Sequence, residues 1–561
     1  MKTNQSSPLY RIFLFLALLM VLCFYILLFI SLSPVNFYND DHPVLIIEDA
    51  IFAQGRPFIM ENDQVLVSYT IIKDNLDPYI YWDSQEDKII ITTFNKTVRL
   101  KTDSLTAMIN TKPVNISFPV KVVDEPYIPL DLVKELYGID VNVLSDKQRV
   151  IIDKNLESRK TAKIKAYAET IRLKPSWVSP YVKKIDESEM LYIYGFNEGW
   201  YKVRTPEGIF GYIPEKKLEV SEMKQEQQKI PESPKIELGR GKLNMVWDYI
   251  SRITPDKSGE IAPKGLDVIS PTWFSIIDGK GTIESKADLQ YVKWAHQNNL
   301  AVWALIDNSF DPEITHEFLS SSETRENIIR QILMYAELFK LDGINIDFEN
   351  IYLEDKGLLV QFMRELTPIL HEAGITVSMD ITVKSSSPNW SLCYDRKELG
   401  KIVDYLILMA YDEHWASSPV SGSVASIGWV ERGIVTLLED VPAEKVILGL
   451  PFYMREWEES KAEDGSLVVR SKTLSMAKAI ETVKKNNAQV SWDEKAGQNF
   501  AFYQKDDKVY KIWIEDEQSI KLKTELVLKY NLAGAAAWRK GFEEPKIWDV
   551  IYDNLKAPFR L

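Results

Sequence analysis

Near the middle of the chain the residues Asp342, Gly343, Ile344, Asn345, Ile346, Asp347, Phe348 and Glu349 follow one another. Side chains of a strand point alternately to its two faces. Asn345, Asp347 and Glu349 therefore share one face, and Ile344, Ile346 and Phe348 share the other. Two carboxylates about 7 Å apart along one strand are costly to bury. Three kinds of chemistry would hold them there: general acid–base catalysis, an ion-pair network, or a divalent cation bound through oxygen. Metal chemistry through nitrogen or sulfur finds no support. The five histidines, His42, His296, His316, His371 and His414, are scattered, and no HExxH pair occurs. The two cysteines, Cys23 and Cys393, cannot build a disulfide framework or a structural zinc site. We therefore expect no metal and no cofactor.

The acidic strand lies in a region that alternates apolar strands with amphipathic helices. Candidate strands begin at Leu243, Leu266, Leu300, Leu341, Ile375, Val403, Lys445 and Leu532. Helical patterns lie between most of them, for example ADLQYVKWAHQNN from Ala287 and LLVQFMRELTPILHEAG from Leu358. Eight strands alternating with helices predict a (β/α)8 TIM barrel over 241–561, with chemistry at the C-terminal strand ends. Residues 458–517 are extra to it. They form a small α+β insertion, in which AFYQKDDKVYKIWIE from Ala501 reads as a hairpin.

The acidic strand resembles the DxxDxDxE signature of glycoside hydrolase family 18, the chitinase-type hydrolases, placing Asp342, Asn345, Asp347 and Glu349. MAYDEH from Met409 resembles the family's sixth-strand motif and adds Tyr411 and Asp412. LGLPFYMREW from Leu448 resembles its seventh strand. GAAAWRKG from Gly534 resembles its last strand, whose tryptophan, here Trp538, floors the sugar site. The resemblance covers about 240 to 555. It is nearest the bacterial spore-coat and cortex-lytic branch, which reads NIDFEN at this strand.

The family's middle aspartate is Asn345 here, which can hydrogen-bond Asp347 but cannot carry charge. Because Glu349 is present, we read this departure as altering the pH profile; Asn345→Asp should then shift it. The resemblance implies substrate-assisted retaining catalysis, without a second nucleophilic carboxylate. Glu349 would be general acid and base. Asp347 would orient the substrate's 2-acetamido group and stabilise the oxazolinium ion. Tyr411 would hydrogen-bond the acetamido oxygen. Asn345, Asp342 and Asp412 would support them, and Trp538, Met409, Tyr453, Trp303 and Trp415 would contact substrate. The substrate must carry an N-acetylated sugar, as peptidoglycan and chitin do.

Before the barrel, residues 12–30 read IFLFLALLMVLCFYILLFI without a charge. At about 1.5 Å per residue they span roughly 28 Å, close to the hydrocarbon thickness of a bilayer. Lys2 and Arg11 precede the run, and Asp40 and Asp41 follow it. Residues 1–35 therefore predict a cytoplasmic tip and a single-pass signal anchor in a bacterial cell membrane, with the bulk extracytoplasmic. A cleaved signal peptide is the competing reading; its apolar region would be shorter.

Residues 43–155 contain an internal repeat, starting at Gln64 and again at Glu125, each copy reading strand, short helix, strand, polar turn, strand. This α+β domain resembles the stalk domain related to the N-terminal region of copper amine oxidases, without a copper site. Residues 160–220 are short β-segments. GWYKVRTPEGIFGYIPEKKLEV from Gly199 resembles a bacterial Src-homology-3-like barrel. Residues 221–240 have linker composition.

The whole chain of 561 residues has 45% hydrophobic and 26% charged residues, ordinary globular composition, and a net charge of −14, which gives no footprint for nucleic acid. Together these features predict a membrane-anchored hydrolase that cuts after N-acetylglucosamine in peptidoglycan. A chitinase or chitooligosaccharide hydrolase, and a non-catalytic envelope glycan-binding protein, are the alternatives.

Overall fold

The computed structural model describes residues 8–36, 38, 42–144, 148–154, 158–224 and 241–556. The expected linker lies outside the described residues except for Ser221 to Lys224, which end a strand. The chain divides into two units. One holds residues 1–80, 100–107 and 114–230, the other 81–99, 108–113 and 231–561.

In the first unit the uncharged run forms one helix, Pro8–Leu32, long and apolar enough to cross a membrane. Beyond it, the two copies of the repeat take the same order of elements. Strand Gln64–Ser68 and helix Tyr69–Asn75, followed along the chain by strands Tyr81–Asp83 and Lys88–Thr92 of the second unit, match strand Pro126–Pro129, helix Leu130–Tyr137 and strands Asp140–Leu144 and Arg149–Asp153. The Ser68 hydroxyl accepts from the Ile71 amide at 3.2 Å and starts the first helix. Gly138, with φ of 60°, ends the second. From Ser158 to Lys224 the chain forms a seven-stranded antiparallel sheet around Ile171, Leu191, Val203 and Ile213.

The second unit is built on eight strands: β1 (Leu243–Asp248), β2 (Val268–Ile276), β3 (Ala301–Asp307), β4 (Gly343–Asp347), β5 (Thr376–Thr382), β6 (Tyr405–Met409), β7 (Val446–Pro451) and β8 (Gly534–Trp538). Every neighbouring pair is parallel, and β1 pairs with both β2 and β8, so the barrel closes. The predicted TIM barrel is thus the observed one. Met245, Trp247, Trp303, Leu305, Ile407 and Ile447 fill its interior as packed layers.

Between β7 and β8 the chain builds a five-stranded antiparallel sheet with one helix, Met476–Lys485. This sheet begins at Tyr453, ahead of residue 458, because Tyr453–Lys461 runs on from β7 after one residue. Gln498–Lys505 and Lys508–Ile514 form the expected hairpin.

Outside the barrel, helices α1 (Ser322–Phe339) and α2 (Lys356–Glu372) share a fully buried ion pair, Arg325 with Glu365 at 2.9 Å. Arg99 reaches the same Glu365 at 3.4 Å.

Candidate active site

The period-two alternation of β4 carries Asn345 and Asp347 into the barrel, and Glu349 follows two residues beyond the strand end. Glu349 is held from the next strand over. The Asn308 side chain, just after β3, donates to the Glu349 carbonyl at 2.7 Å and accepts from the Glu349 amide at 3.0 Å. The hydroxyl of Thr315 anchors that same Asn308 at 2.8 Å. One buried amide thus clamps the peptide of Glu349 on both sides.

Asp347 does not stand alone at its level. Asp307 of β3 is its paired residue in the parallel register. On β5, Asp380 lies one residue past the Ile346–Met379 pair, so it flanks Asp347 from the other side. Three strands therefore present Asp307, Asp347 and Asp380 in one layer, with Glu349 above. Burial pushes the Asp347 carboxyl well above its ordinary range, and Glu349, Asp380 and Asp307 push the same way. Asp380 is raised by burial and by Glu349, against the opposing hydrogen bond from Asn345. Asp307 is raised by burial. Glu349 is pushed up to about 7, first by burial and then by Asp412 and Asp307. Like charges this close in a dry site cannot all ionise near neutrality, so the layer holds protons that isolated carboxyls would lose.

Asn345 makes bonds other than the one its sequence position suggested. Its Oδ1 accepts from the Trp247 indole at 2.8 Å, and its Nδ2 donates to Asp380 at 2.8 Å and to the Ser378 hydroxyl at 3.2 Å. Because an indole N–H only donates, the amide is fixed in this orientation. The bond to Asp347 expected from the sequence is replaced by one to Asp380. Residues i and i+2 of a strand lie about 7 Å apart, whereas a neighbouring strand is about 5 Å away.

The aromatic wall comes from β1, β6 and β8. The Trp538 ring lies 6.0 Å from Trp247 and 6.5 Å from Tyr249, edge-on to both. Tyr411, just past β6, packs edge-on to Trp247 at 6.5 Å and to Tyr453 at 6.2 Å. Burial raises its phenol well above the ordinary value, so Tyr411 stays a donor. Asp412 accepts from the Tyr453 hydroxyl at 2.6 Å and from Arg455 at 2.7 Å. Met409 ends β6 nearly buried.

Other sequence candidates are placed apart from this cluster. Trp303 is not at a strand end. It sits early in β3, fully buried, stacked on Tyr405 at 5.6 Å. A Cβ on Gly343 would come within 2.4 Å of its indole, so Gly343 leaves the room that this core tryptophan fills. Its role is packing, and it is withdrawn as a substrate contact. Asp342 precedes β4 at the opposite end of the barrel, where it accepts from the Val302 amide at 2.8 Å and meets His296 at 2.9 Å. It joins strands and does not reach the carboxylate layer. Trp415 is exposed in the loop after β6, as are Tyr249 after β1, Phe310 after β3 and Trp390 after β5.

The sequence reading missed Asp380, Asp307, Trp247 and Asn308. A signal for Asp380 existed: Ser378, Asp380 and Thr382 alternate with apolar residues along β5 just as the residues of β4 do.

A closed barrel with a layer of buried carboxyls, a raised glutamate and an aromatic floor suits acid–base chemistry on a sugar. Comparison with known proteins decides the family. Residues 245–542 match Glycosyl hydrolases family 18. The chain belongs to that family. Its enzymes are glycoside hydrolases, and family 18 chemistry acts on glycans that contain N-acetylglucosamine. Residues 47–152 match the Copper amine oxidase N-terminal domain.

Among curated relatives, the Bacillus subtilis (strain 168) protein named "Uncharacterized glycosylase YvbX" is 27% identical over 289 residues, 49% of this chain and 81% of that one. The "Cortical fragment-lytic enzyme" of the same organism is 27% identical over 263 residues, 46% of this chain and 60% of that enzyme. Human "Di-N-acetylchitobiase" is 24% identical over 302 residues, 49% of this chain and 76% of that one. The match thus reaches most of YvbX but less than two thirds of the cortical enzyme. Among solved structures, the spore cortex-lytic enzyme SleL of Bacillus megaterium QM B1551 shares the fold with a TM-score of 0.51 at 22% identity, over 63% of this chain and 79% of that one. A chitinase from Chromobacterium violaceum ATCC 12472 does so with 0.50 at 20% identity, over 56% and 100%.

Proposed function

We propose that this family 18 enzyme cuts β-1,4 bonds after N-acetylglucosamine in peptidoglycan, by substrate-assisted retaining catalysis, while held to the bacterial cell membrane by Pro8–Leu32. The observation that carries the chemistry is the raised Glu349 carboxyl, at about 7, whose charge acts on both Asp347 and Tyr411. A carboxyl at that value is half protonated at neutral pH and suits a group that gives a proton and takes one back.

In this reading Glu349 gives its proton to the glycosidic oxygen as the bond to the anomeric carbon breaks. The substrate's acetamido oxygen attacks that carbon and forms an oxazolinium ion. Asp347 accepts the acetamido N–H and balances the positive charge. Tyr411 donates to the acetamido oxygen and sets it in line. Water, deprotonated by Glu349, then opens the ring from the face the leaving group left. Two inversions give net retention. Trp538 stacks under the sugar, Met409 and Tyr453 line its flank, and Trp415 meets more distant units. Asp412 supports by fixing Tyr453 and by raising Glu349.

Peptidoglycan is favoured over chitin by context. A membrane-length helix and a stalk-type domain precede the barrel, which suits a polymer that surrounds the cell. The curated relatives also include three enzymes named for cortical fragments.

The full-length protein in detergent is incubated with purified vegetative peptidoglycan, spore cortex and chitin oligosaccharides, with Glu349→Gln as control. Fragments ending in reducing N-acetylglucosamine from wall material, absent with the variant, are expected by mass spectrometry. Release from chitin alone would overturn the peptidoglycan reading, and no release from any polymer would overturn the catalytic one.

A further inference from the structure

We propose that Arg539 forms a carboxylate-binding subsite at the edge of the sugar cleft, taking the acidic substituent of a muramyl residue. This inference rests on the peptidoglycan reading above and deepens it.

Arg539 directly follows Trp538 at the C-terminal end of β8. Its guanidinium carbon lies 4.8 Å from the centre of the Tyr249 ring and 4.0 Å from that of Phe542. Tyr249 in turn touches Trp538. The arginine is therefore tied to the aromatic floor through one shared ring, and it is half-buried.

Two rings fix the cation in place, yet neither takes up its five N–H donors as a carboxylate does. Among the described residues the guanidinium has no hydrogen-bond or ion-pair partner. The other buried arginines of this unit are committed. Arg325 pairs with Glu365, Arg99 with Glu365 and Glu326, and Arg455 with Asp412. Arg396 donates to the carbonyls of Ser391 and Thr382.

The nearby acids are also taken. Asp248 accepts from Tyr291 at 2.7 Å and pairs with Lys257 at 3.1 Å. Glu260 pairs with Lys257 and Lys540. Glu543 accepts from the Gly541 amide and the Trp548 indole. A partly desolvated guanidinium, fixed by rings and left without an anion of its own, is arranged to take one from outside.

A single guanidinium next to paired acids fits a monoanion such as a carboxylate. Chitin offers none. Peptidoglycan offers two sources, the lactyl carboxylate of an unsubstituted muramyl unit and the carboxylates of a peptide stem. The planar fork of Arg539 can donate to either as a bidentate pair.

The test is calorimetric binding to the full-length Glu349→Gln protein, which holds sugars without cutting them, with Arg539 intact and as R539Q. The ligands are N-acetylglucosaminyl-N-acetylmuramic acid, its methyl ester, the same disaccharide carrying an L-Ala-D-Glu stem, and di-N-acetylchitobiose. If the lactyl carboxylate is bound, the acid binds about tenfold or more tighter than its ester. If a stem carboxylate is bound, the acid and ester bind alike and the stem-bearing ligand binds tighter by a similar factor. In either case R539Q erases the difference, and R539K, which keeps a cation without the fork, restores part of it.

Equal binding of all three muramyl ligands to the protein with Arg539 intact would overturn the subsite and leave the peptidoglycan reading standing. So would an R539Q loss proportional across all four ligands, which marks a packing role. Binding of chitobiose with refusal of every muramyl ligand would overturn the peptidoglycan reading itself.

Discussion

Asp380→Asn removes one charge from the carboxylate layer and leaves its hydrogen bonding in place, because an asparagine oxygen still accepts from Asn345. Asp380 and Asp347 stand on paired strands, which puts their carboxylates about 5–6 Å apart. Two unit charges at that distance, at an effective dielectric constant of about 20, repel by about 3 kcal/mol, which corresponds to about two pH units. Asp347 must be ionised to balance the oxazolinium charge, so its protonation sets the acid limb of the rate profile. Removing Asp380's charge lowers the Asp347 carboxyl. The acid limb of kcat/KM should therefore move toward lower pH, by as much as about two units. Glu349 lies a further two residues along the strand direction, so the alkaline limb, which follows loss of its proton near 7, moves less. The assay is hydrolysis of a soluble N-acetylglucosamine oligosaccharide from pH 3 to 9, with circular dichroism to confirm the fold. An acid limb that stays put, or moves upward, refutes the shared-proton layer.

Further outcomes follow from the same geometry. Glu349 is raised from 4.5 to about 7 in the folded protein, so its ionised form opposes folding. The penalty is absent below about pH 4.5, grows between there and about pH 7, and levels off at about 3 kcal/mol above that. E349Q should accordingly raise the melting temperature of the barrel by several degrees at pH 8 and by almost nothing at pH 4.5; an equal gain at both would contradict the assignment. Tyr411→Phe removes a donor aimed at the acetamido oxygen and should lower kcat about a hundredfold with little change in KM, measured by steady-state kinetics. Glu365→Ala leaves Arg325 as an uncompensated buried charge between α1 and α2, and should cost about 3–5 kcal/mol in denaturant unfolding.

The parts legible in the sequence are those with a local period. The eight barrel strands stand out as apolar runs between amphipathic helices, and all eight fold as strands. The shared face of Asn345, Asp347 and Glu349 follows from alternation alone. What alternation does not give is the register between strands distant in sequence. Asp307 and Asp380 meet Asp347 only because β3 and β5 pair with β4 at one particular offset. Trp303 shows the same limit from the other side. Its residue type and its strand could be read, but its depth along the strand could not, and it lies four residues below Asp307, in a core layer and not at the sugar site. Asn308 was hidden for another reason: its work is to bond a backbone, and nothing in its sequence neighbourhood marks that.

The most direct test of the account is the anomeric configuration of the first product. Proton NMR during the earliest turnovers of full-length enzyme on an N-acetylglucosamine oligosaccharide should show the β-anomer at the new reducing end, relaxing slowly to the α/β mixture, with no signal from E349Q. An α-anomer formed first would mean inversion by a directly activated water, and would contradict the acetamido-assisted mechanism built on Glu349, Asp347 and Tyr411.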